Sequence, residues 1–478
     1  MPSPTPFGNP MKSQFLIDPN YRNLNHGSFG TYPIPLLETQ QTLQKSLEAA
    51  PDIFIRYTQP PLIDESRAVL ANLLNVPVSD CVLVRNATTG VNTVLHNLAI
   101  TRELTSNDVV IYFETVYGAI ERTLLALRES WGVQLRKVKY SFPLEEGELV
   151  RRFKAVVEDV KKQGLNPKVA VFETVISNPG IRFPFKEVTK LCRELGILSC
   201  IDGAHGVGMF DLDLGRLGCD FFTSNCHKWL YTPRSCAVLY VLERNQRFIR
   251  TSLPTSWGYI PLSPPPARTL SAATSSYSSS NSVGEEDEKL LPSVLPDNGK
   301  SPFITLFEFT GTTDDSAYSC VPAAMKFRKD VCGGEKKIYT YLEELAGVAG
   351  DVVASALGTD VLRTFRGEKG GLGCSMVNVR LPIRVSDSEV RKNGEKEEGI
   401  VTVRSADVSP LAHYLHEKLI EKGTFVPCFQ HGEWFYTRLS AQIYLEKSDF
   451  VWLGDELKEI LTGVEGFLRT LKVPRANL

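Results

Sequence analysis

The stretch Ser199–Gly206, SCIDGAHG, followed by Phe221–Leu230, FFTSNCHKWL, decides the reading of this chain. In both, a short apolar run rich in β-branched and aromatic residues ends abruptly on residues with chemistry to offer: Asp202 and His205 in the first, Ser224, His227 and Lys228 in the second. Such runs are what a strand covered on both faces requires. Working outward, the same pattern recurs at Val82–Val84, Val109–Phe113, Val169–Phe172, Ile197–Ile201, Phe221–Thr223 and Ala237–Val241. Amphipathic helical patterns lie between them. The clearest is Glu148–Lys162, where Leu149, Phe153, Val156, Val157 and Val160 share a face and Gly164 provides a stop. Alternation of this kind predicts an α/β fold with a mostly parallel sheet.

Two further regions follow. Residues 263–301 combine Pro-rich, Ser-rich and acidic runs with few aromatic or β-branched residues, and read as a disordered insertion. From Phe303 onward, a helix expected at Leu411–Glu421 behind Ser409-Pro410 mixes with strands expected at Met376–Leu381 and Trp434–Ser440, which suggests a smaller α+β domain. Asp387–Glu398 reads as a solvated charged loop.

The chain has 478 residues, 42% of them hydrophobic, enough for more than one domain. With 53 Lys and Arg against 55 Asp and Glu, the formal charge of −2 offers no footprint for nucleic acid or an anionic membrane. No apolar run is long enough to span a bilayer, and the first residues do not resemble a signal or transit peptide. Ten scattered cysteines without a C-x-x-C pair indicate neither a zinc cluster nor a secreted disulfide framework, so a cytoplasmic protein is expected. His413 and His416 share a helix face but lack a third ligand, so no metal site is expected.

Four local features sit just past predicted strands, where open α/β sheets bind ligands. Lys228 is placed for partial desolvation, which lowers an amine's pKa toward the neutral form that a Schiff base requires. Asp202, at the end of its strand, suits a protonated pyridine nitrogen, with His205 a candidate partner for a ring hydroxyl. RNATTGVNTVL, Arg85–Leu95, offers small and hydroxylated residues at a helix start, a seat for phosphate. In FETVYGAI, Phe113–Ile120, Tyr117 is positioned to stack on a ring or pass a proton. Each feature has an ordinary structural reading when taken singly. Together they point to pyridoxal phosphate.

These residues resemble the fold-type I pyridoxal-phosphate enzymes of the class V aminotransferase superfamily, which includes cysteine desulfurases and isopenicillin N epimerase. The strings LNHGSFGTYP (Leu24–Pro33), FIRY (Phe54–Tyr57), SNPGIRFPF (Ser177–Phe185), NCHKWLYTPR (Asn225–Arg234) and FEFTGTTDDSAY (Phe307–Tyr318) are most similar to the fungal lyases of ergothioneine biosynthesis, which cleave the carbon–sulfur bond of hercynylcysteine sulfoxide. The resemblance implies a large cofactor-binding domain over 61–262 with a seven-stranded-type sheet, an N-terminal arm over 1–60 lining the site, a linking segment over 302–335 and a small domain over 336–478. It implies that Lys228 carries the cofactor and removes the substrate α-proton, that Asp202 pairs with the pyridine, and that Thr88, the amides around Ala87, Ser224 and His227 hold the phosphate. Tyr117 would stack on the ring, and Ser177 or Asn178 would bond its hydroxyl; in the elimination read from these strings, Tyr117 would protonate the leaving sulfur. Asn25, His26, Arg56, Tyr57 and Arg438 would face the amino-acid substrate, Arg438 gripping its carboxylate. In the family's homodimer, Gly311 and Thr312 would reach the neighbouring subunit's phosphate. The implied activity is carbon–sulfur β-elimination. Epimerase, aminotransferase or desulfurase outcomes stay open on the same scaffold, as does a non-catalytic binding protein. A sulfur-accepting mobile-loop cysteine is not identifiable, although Cys320, Cys332, Cys374 and Cys428 lie in the right half of the chain.

Overall fold

A computed structural model describes residues 4–260, 299–362, 372–387 and 399–471. The insertion expected at 263–301 lies outside these except for its last three residues, and the charged loop expected at Asp387–Glu398 lies outside them except for Asp387.

The large sheet has seven strands: β1 (Cys81–Val84), β2 (Asp108–Phe113), β3 (Gln134–Val138), β4 (Asn166–Glu173), β5 (Leu198–Asp202), β6 (Phe221–Asn225) and β7 (Ala237–Val241). Their order is β1-β7-β6-β5-β4-β2-β3. Only β7 runs against its neighbours; it is antiparallel to both β1 and β6. All six runs expected from sequence are strands. The seventh, β3, was not anticipated, because QLRKV at the sheet edge carries Arg136 and Lys137 and is only partly buried. Central strands such as β2, β6 and β7 are buried throughout, which is why their sequences read as continuous apolar runs.

The helix expected at Glu148–Lys162 spans Glu146–Lys162, and Gly164 adopts a positive φ of 72° just beyond it. The helix Ala87–Ile100 crosses β6 so closely that a Cβ on Gly90 would stand 2.2 Å from Oγ1 of Thr223. That contact draws the helix N-terminus down onto the strand that leads to Lys228.

A second sheet is ordered β10-β11-β8-β9, from Cys428–His431, Trp434–Ser440, Met376–Val385 and Val401–Val403. Strand β8 runs past its expected end at Leu381. Pro382 falls where the pairing with β11 shifts register, a bulge at which its missing N–H costs no ladder bond. Arg380 and Arg384 then cover the Trp434 ring at 4.3 and 5.6 Å. The helices Glu335–Leu357 and Lys447–Thr462 pack on each other, and the first also covers β8. The helix Val408–Glu421 begins before its Ser409-Pro410 signal, which lies within its first turn. His416 accepts from the Cys428 amide and His413 pairs with Glu417, so both histidines serve local structure.

The N-terminal arm is tied to this second unit. Asn9 bonds Glu446, and Lys12 pairs with Asp449 at 3.2 Å. Replacing Gly90 with alanine forces the helix off β6, and overpacking of this kind costs about 1–3 kcal/mol. Urea denaturation of Gly90→Ala is therefore expected to show a lower midpoint with an unchanged slope; an unchanged midpoint would show that the helix and strand are not in close contact.

Candidate active site

The carboxyl ends of β1, β2, β4, β5 and β6 lie along one edge of the large sheet, and the residues that follow them form the candidate site. Lys228 sits on the single helical turn Cys226–Trp229 directly after β6. Its side chain keeps some access to solvent, as an amine that must react requires, yet it is sufficiently desolvated that its pKa falls from 10.5 to about 7. The Arg438 charge pushes in the same direction, while Asp202 opposes both.

Two neutral histidines frame this lysine. His205 Nδ1 lies 3.2 Å from the indole Nε1 of Trp229. An indole N–H only donates, so Nδ1 accepts, and in a neutral ring the proton resides on Nε2. Burial holds His205 well below its usual pKa, so the ring is neutral. Its Nε2–H therefore points at Lys228 Nζ, 3.2 Å away, and needs a lone pair there. Only the uncharged amine supplies one. The second histidine, His26, donates through Nε2 to the Lys228 carbonyl at 2.7 Å and accepts through Nδ1 from Tyr444 Oη at 3.0 Å, and its pKa is depressed to about 4 by burial. Both ring nitrogens are thus engaged. Where the sequence suggests a substrate-facing residue, the structure puts His26 to holding the lysine's backbone. Gly30 completes the clamp: at φ 66°, a Cβ there would stand 2.0 Å from the His227 carbonyl oxygen.

Asp202 is buried at the end of β5 and accepts from the Ala204 amide at 3.0 Å. Burial raises its pKa, which the Ala204 bond and the Lys228 charge counter. At the end of β1, Asn86 caps the helix through the Thr89 amide at 2.8 Å. The Ala87 amide donates to Asn225 Oδ1 at 2.9 Å. This leaves the Thr88 amide and hydroxyl without a protein partner among the described residues, at the positive end of a helix. Ala87 is therefore bound to Asn225, a residue not singled out from sequence, and Thr88 is the free donor. His227 donates from Nδ1 to the Cys236 carbonyl at 3.0 Å. The Ser224 hydroxyl is spent on Gly203 O and the Val207 amide, so it shapes the turn carrying His205 rather than reaching outward. Tyr117 caps the helix Gly118–Trp131 with its ring half-exposed above the cleft.

Arg438 on β11 is fully buried. Its four hydrogen bonds go to neutral oxygens: Ser177 O at 2.7 Å, Ser177 Oγ at 3.3 Å, Asn25 Oδ1 at 2.7 Å and Ser28 Oγ at 2.9 Å. Nε has no partner, and no carboxylate pairs with the guanidinium among the described residues. Desolvation lowers its pKa to about 10. A buried cation without a counter-ion is costly unless an anion arrives to share the site. Ser177 is thereby engaged by Arg438 rather than left for a ring hydroxyl, and Asn178 is exposed.

The remaining expected residues are not brought in. Arg56 pairs with Asp52 at 3.3 Å, and the Tyr57 side chain points to solvent. Gly311 and Thr312 make no hydrogen bond to Thr88, Asp202 or Lys228 among the described residues. Gly311, at φ 136°, occupies a backbone region that favours glycine. Sequence reasoning also missed Ser28, Arg234, which reaches Gly30 O at 2.9 Å, and Glu173. None of these stands out from ordinary turn or strand residues without the fold.

The family model described as aminotransferase class-V matches residues 58–256, the span of the large sheet. An L-cysteine desulfhydrase-like protein of Epichloe uncinata is 38% identical over 95% of this chain and 96% of its own length. The chain belongs to the class V aminotransferase family. Hercynylcysteine sulfoxide lyase of Schizosaccharomyces pombe is 27% identical over 95% of this chain and 97% of its own. Among solved structures, the cystine C–S lyase C-DES in complex with cysteine persulfide superposes with a TM-score of 0.64 at 17% identity, covering 92% of this chain and 97% of that one. As a class V aminotransferase family member, the protein is a pyridoxal-phosphate enzyme. The residues present fit that group: a neutral amine at Lys228, a buried carboxylate at Asp202 and an unfilled helix terminus at Thr88.

The depressed lysine pKa carries a stability consequence. Between about pH 7 and 10.5 the unfolded chain holds a proton on Lys228 that the folded chain releases, so this residue's destabilising effect is smallest above pH 10.5 and grows as pH falls to about 7. Cofactor-free Lys228→Met is expected to melt above the wild type, with a larger margin at pH 7 than at pH 10. An equal margin at both would show that the amine titrates normally. Trp229→Phe, which frees the His205 tautomer, is expected to raise the pH at which added pyridoxal phosphate couples to the lysine, followed by absorbance.

Proposed function

We propose that this enzyme is a carbon–sulfur lyase that performs β-elimination on an S-substituted L-cysteine. The observation that carries the reading is the burial of all ten cysteines. In the four positions where a sulfur acceptor would be sought, burial raises the thiols of Cys320, Cys332 and Cys428 to about 12 and that of Cys374 to about 11. A desulfurase that passes sulfur to its own cysteine needs an accessible thiolate. None of these residues supplies one, so the sulfur has to leave with its own substituent. The relatives named as desulfhydrases and as a sulfoxide lyase support the same conclusion.

Pyridoxal phosphate, when bound, supplies an electron sink for the charge that develops at the substrate α-carbon. Asp202 holds the pyridine nitrogen, and the Thr88 amide and hydroxyl hold the phosphate, with His227 beside it. Arg438 takes the substrate carboxylate in a bidentate fork, its charge finding the partner it lacks. Asn25 and Ser177 fix the plane of that fork. Lys228 Nζ, neutral near pH 7, accepts the α-proton as the Cα–H bond breaks. The Cβ–S bond then breaks with its electron pair leaving on sulfur, and Tyr117 delivers a proton there. Hydrolysis of the three-carbon fragment gives pyruvate and ammonia.

For substrate identity, hercynylcysteine sulfoxide is the specific reading supported by the 27% identical lyase and by the strings quoted from sequence. Elimination from it releases a sulfenic acid that an added thiol reduces to ergothioneine. The half-exposed or exposed apolar side chains of Phe29, Ile53 and Tyr57 favour a homodimer, in which Gly311 and Thr312 of one subunit serve the phosphate of the other. Ten reduced thiols suit the cytosol.

Incubation with L-cysteine, L-cystine and hercynylcysteine sulfoxide, with product analysis, tests the reading. Pyruvate in stoichiometric amount with the sulfur product is expected from at least one. Alanine with persulfide would make it a desulfurase, and a racemised amino acid without pyruvate an epimerase. Arg438→Lys is expected to raise KM by about 10- to 100-fold, the loss of a bidentate charged contact, with a smaller change in kcat. A KM unchanged by this substitution would remove Arg438 from carboxylate binding.

A further inference from the structure

Asp202 is not the only carboxylate at this edge of the sheet. Glu173 ends β4 as Asp202 ends β5, and the two are direct partners in the parallel register. Paired residues in adjacent strands project to the same face. Glu173 is 3% exposed, so the two acids are buried side by side. One oxygen of Glu173, Oε1, accepts from the Tyr117 amide at 3.1 Å. The other, Oε2, is buried with no partner. A buried carboxylate oxygen left bare is expensive, whereas a carboxyl that keeps its proton avoids burying the charge.

We propose that Glu173 is a positioning residue of the cofactor site: in its uncharged form it anchors the backbone of Tyr117, and so the aromatic face over the cofactor, while the site's negative charge stays on Asp202. The surroundings separate the two acids. Asp202 accepts from the Ala204 amide at 3.0 Å, which favours its ionised form, and it is the carboxylate placed toward Lys228. No cation offsets Glu173. The groups around it are Asp202 on β5, Tyr140 after β3, whose hydroxyl meets Thr115 Oγ1 at 2.5 Å, and the Tyr117 turn; Glu114 lies beyond Tyr140. Burial and the Asp202 charge accordingly lift Glu173 well above the usual carboxylate range. Two acids pressed together cannot both ionise cheaply, and the less raised of the two, Asp202, takes the charge. A cofactor that needs its ring nitrogen protonated is then served by one anion in a defined place.

The anchor also explains how a half-exposed tyrosine is held. Tyr117 begins the helix Gly118–Trp131, where backbone N–H groups have no helical acceptor, and Glu173 supplies one from the adjacent strand end.

The test uses the full chain. The infrared difference between wild type and Glu173→Gln at neutral pH is expected to contain a protonated-carboxyl stretching band; its absence overturns the proposal. In absorbance titrations with pyridoxal phosphate, Glu173→Gln keeps an acceptor for the Tyr117 amide and is expected to bind within about threefold of wild type, whereas Glu173→Ala is expected to bind about tenfold more weakly, the scale of one lost hydrogen bond. In a Tyr117→Ala background the same truncation should cost less than about twofold, because the anchored ring is gone. Glu173→Gln as weak as Glu173→Ala, or Glu173→Ala as tight as wild type, overturns the anchoring role. If Glu173→Ala fails to fold, the Gln variant and the infrared band still decide. Wild-type binding in the same titration checks the cofactor assignment separately.

Discussion

The site depends on burying an amine and a guanidinium in one cleft. Burial pushes the pKa of Lys228 down to about 7, whereas Arg438, at about 10, keeps its charge at neutral pH. The second helps set the state of the first: the Arg438 charge helps expel the proton from Lys228. The protein sustains that arrangement by surrounding both with neutral groups. Amide, hydroxyl and carbonyl oxygens hold Arg438, and a neutral histidine meets Lys228. A carboxylate placed against Arg438 would have neutralised it; among the described residues none is, so the guanidinium's charge stays uncompensated.

This requirement accounts for the N-terminal arm. Residues 25–30 reach both segments at once: Asn25 and Ser28 on the Arg438 guanidinium, His26 on the Lys228 carbonyl, and Gly30 against the His227 carbonyl. The arm is in turn tied to the C-terminal unit through Asn9, Lys12 and Tyr444. The cleft is thus assembled from segments more than 400 residues apart, although each contributes only a few side chains. Separation of the arm from the second sheet would loosen lysine and arginine together.

Most of the fold was legible because doubly covered strands have to be apolar along their whole length, and six of seven read that way. The edge strand β3 escaped because one face and one margin of it meet solvent, so Arg136 and Lys137 interrupt the pattern. In the site, the placement of Lys228, Asp202, Tyr117 and the turn within Arg85–Leu95 just past strand ends was legible in the sequence. The roles of His26, Ser177 and Ser224 were not, because a side chain's hydrogen-bond partner is set by which distant segment lies against it. Ser224 bonds Gly203 and Val207, and Ser177 bonds Arg438, across 17 or more residues of sequence. Glu173 was invisible for a related reason: within AVFETV it reads as the polar end of a strand, and only the register with β5 sets it beside Asp202.

The fold itself does not choose the reaction. Structures of similar shape include a cystine lyase and a cysteine desulfurase, so the same fold serves different endings. What differs is the fate of the sulfur. Desulfuration by an enzyme thiol needs a nucleophile that reaches the site, and this chain has committed every thiol to the interior, among them Cys226, which opens the lysine turn, and Cys236, whose carbonyl accepts from the Cys226 amide. A sulfur leaving group that meets no thiolate in the cleft departs with whatever substituent it arrived with. Burial of the cysteines is therefore a constraint on chemistry as much as on packing, and it is the feature on which the proposed elimination differs from desulfuration within an otherwise shared architecture.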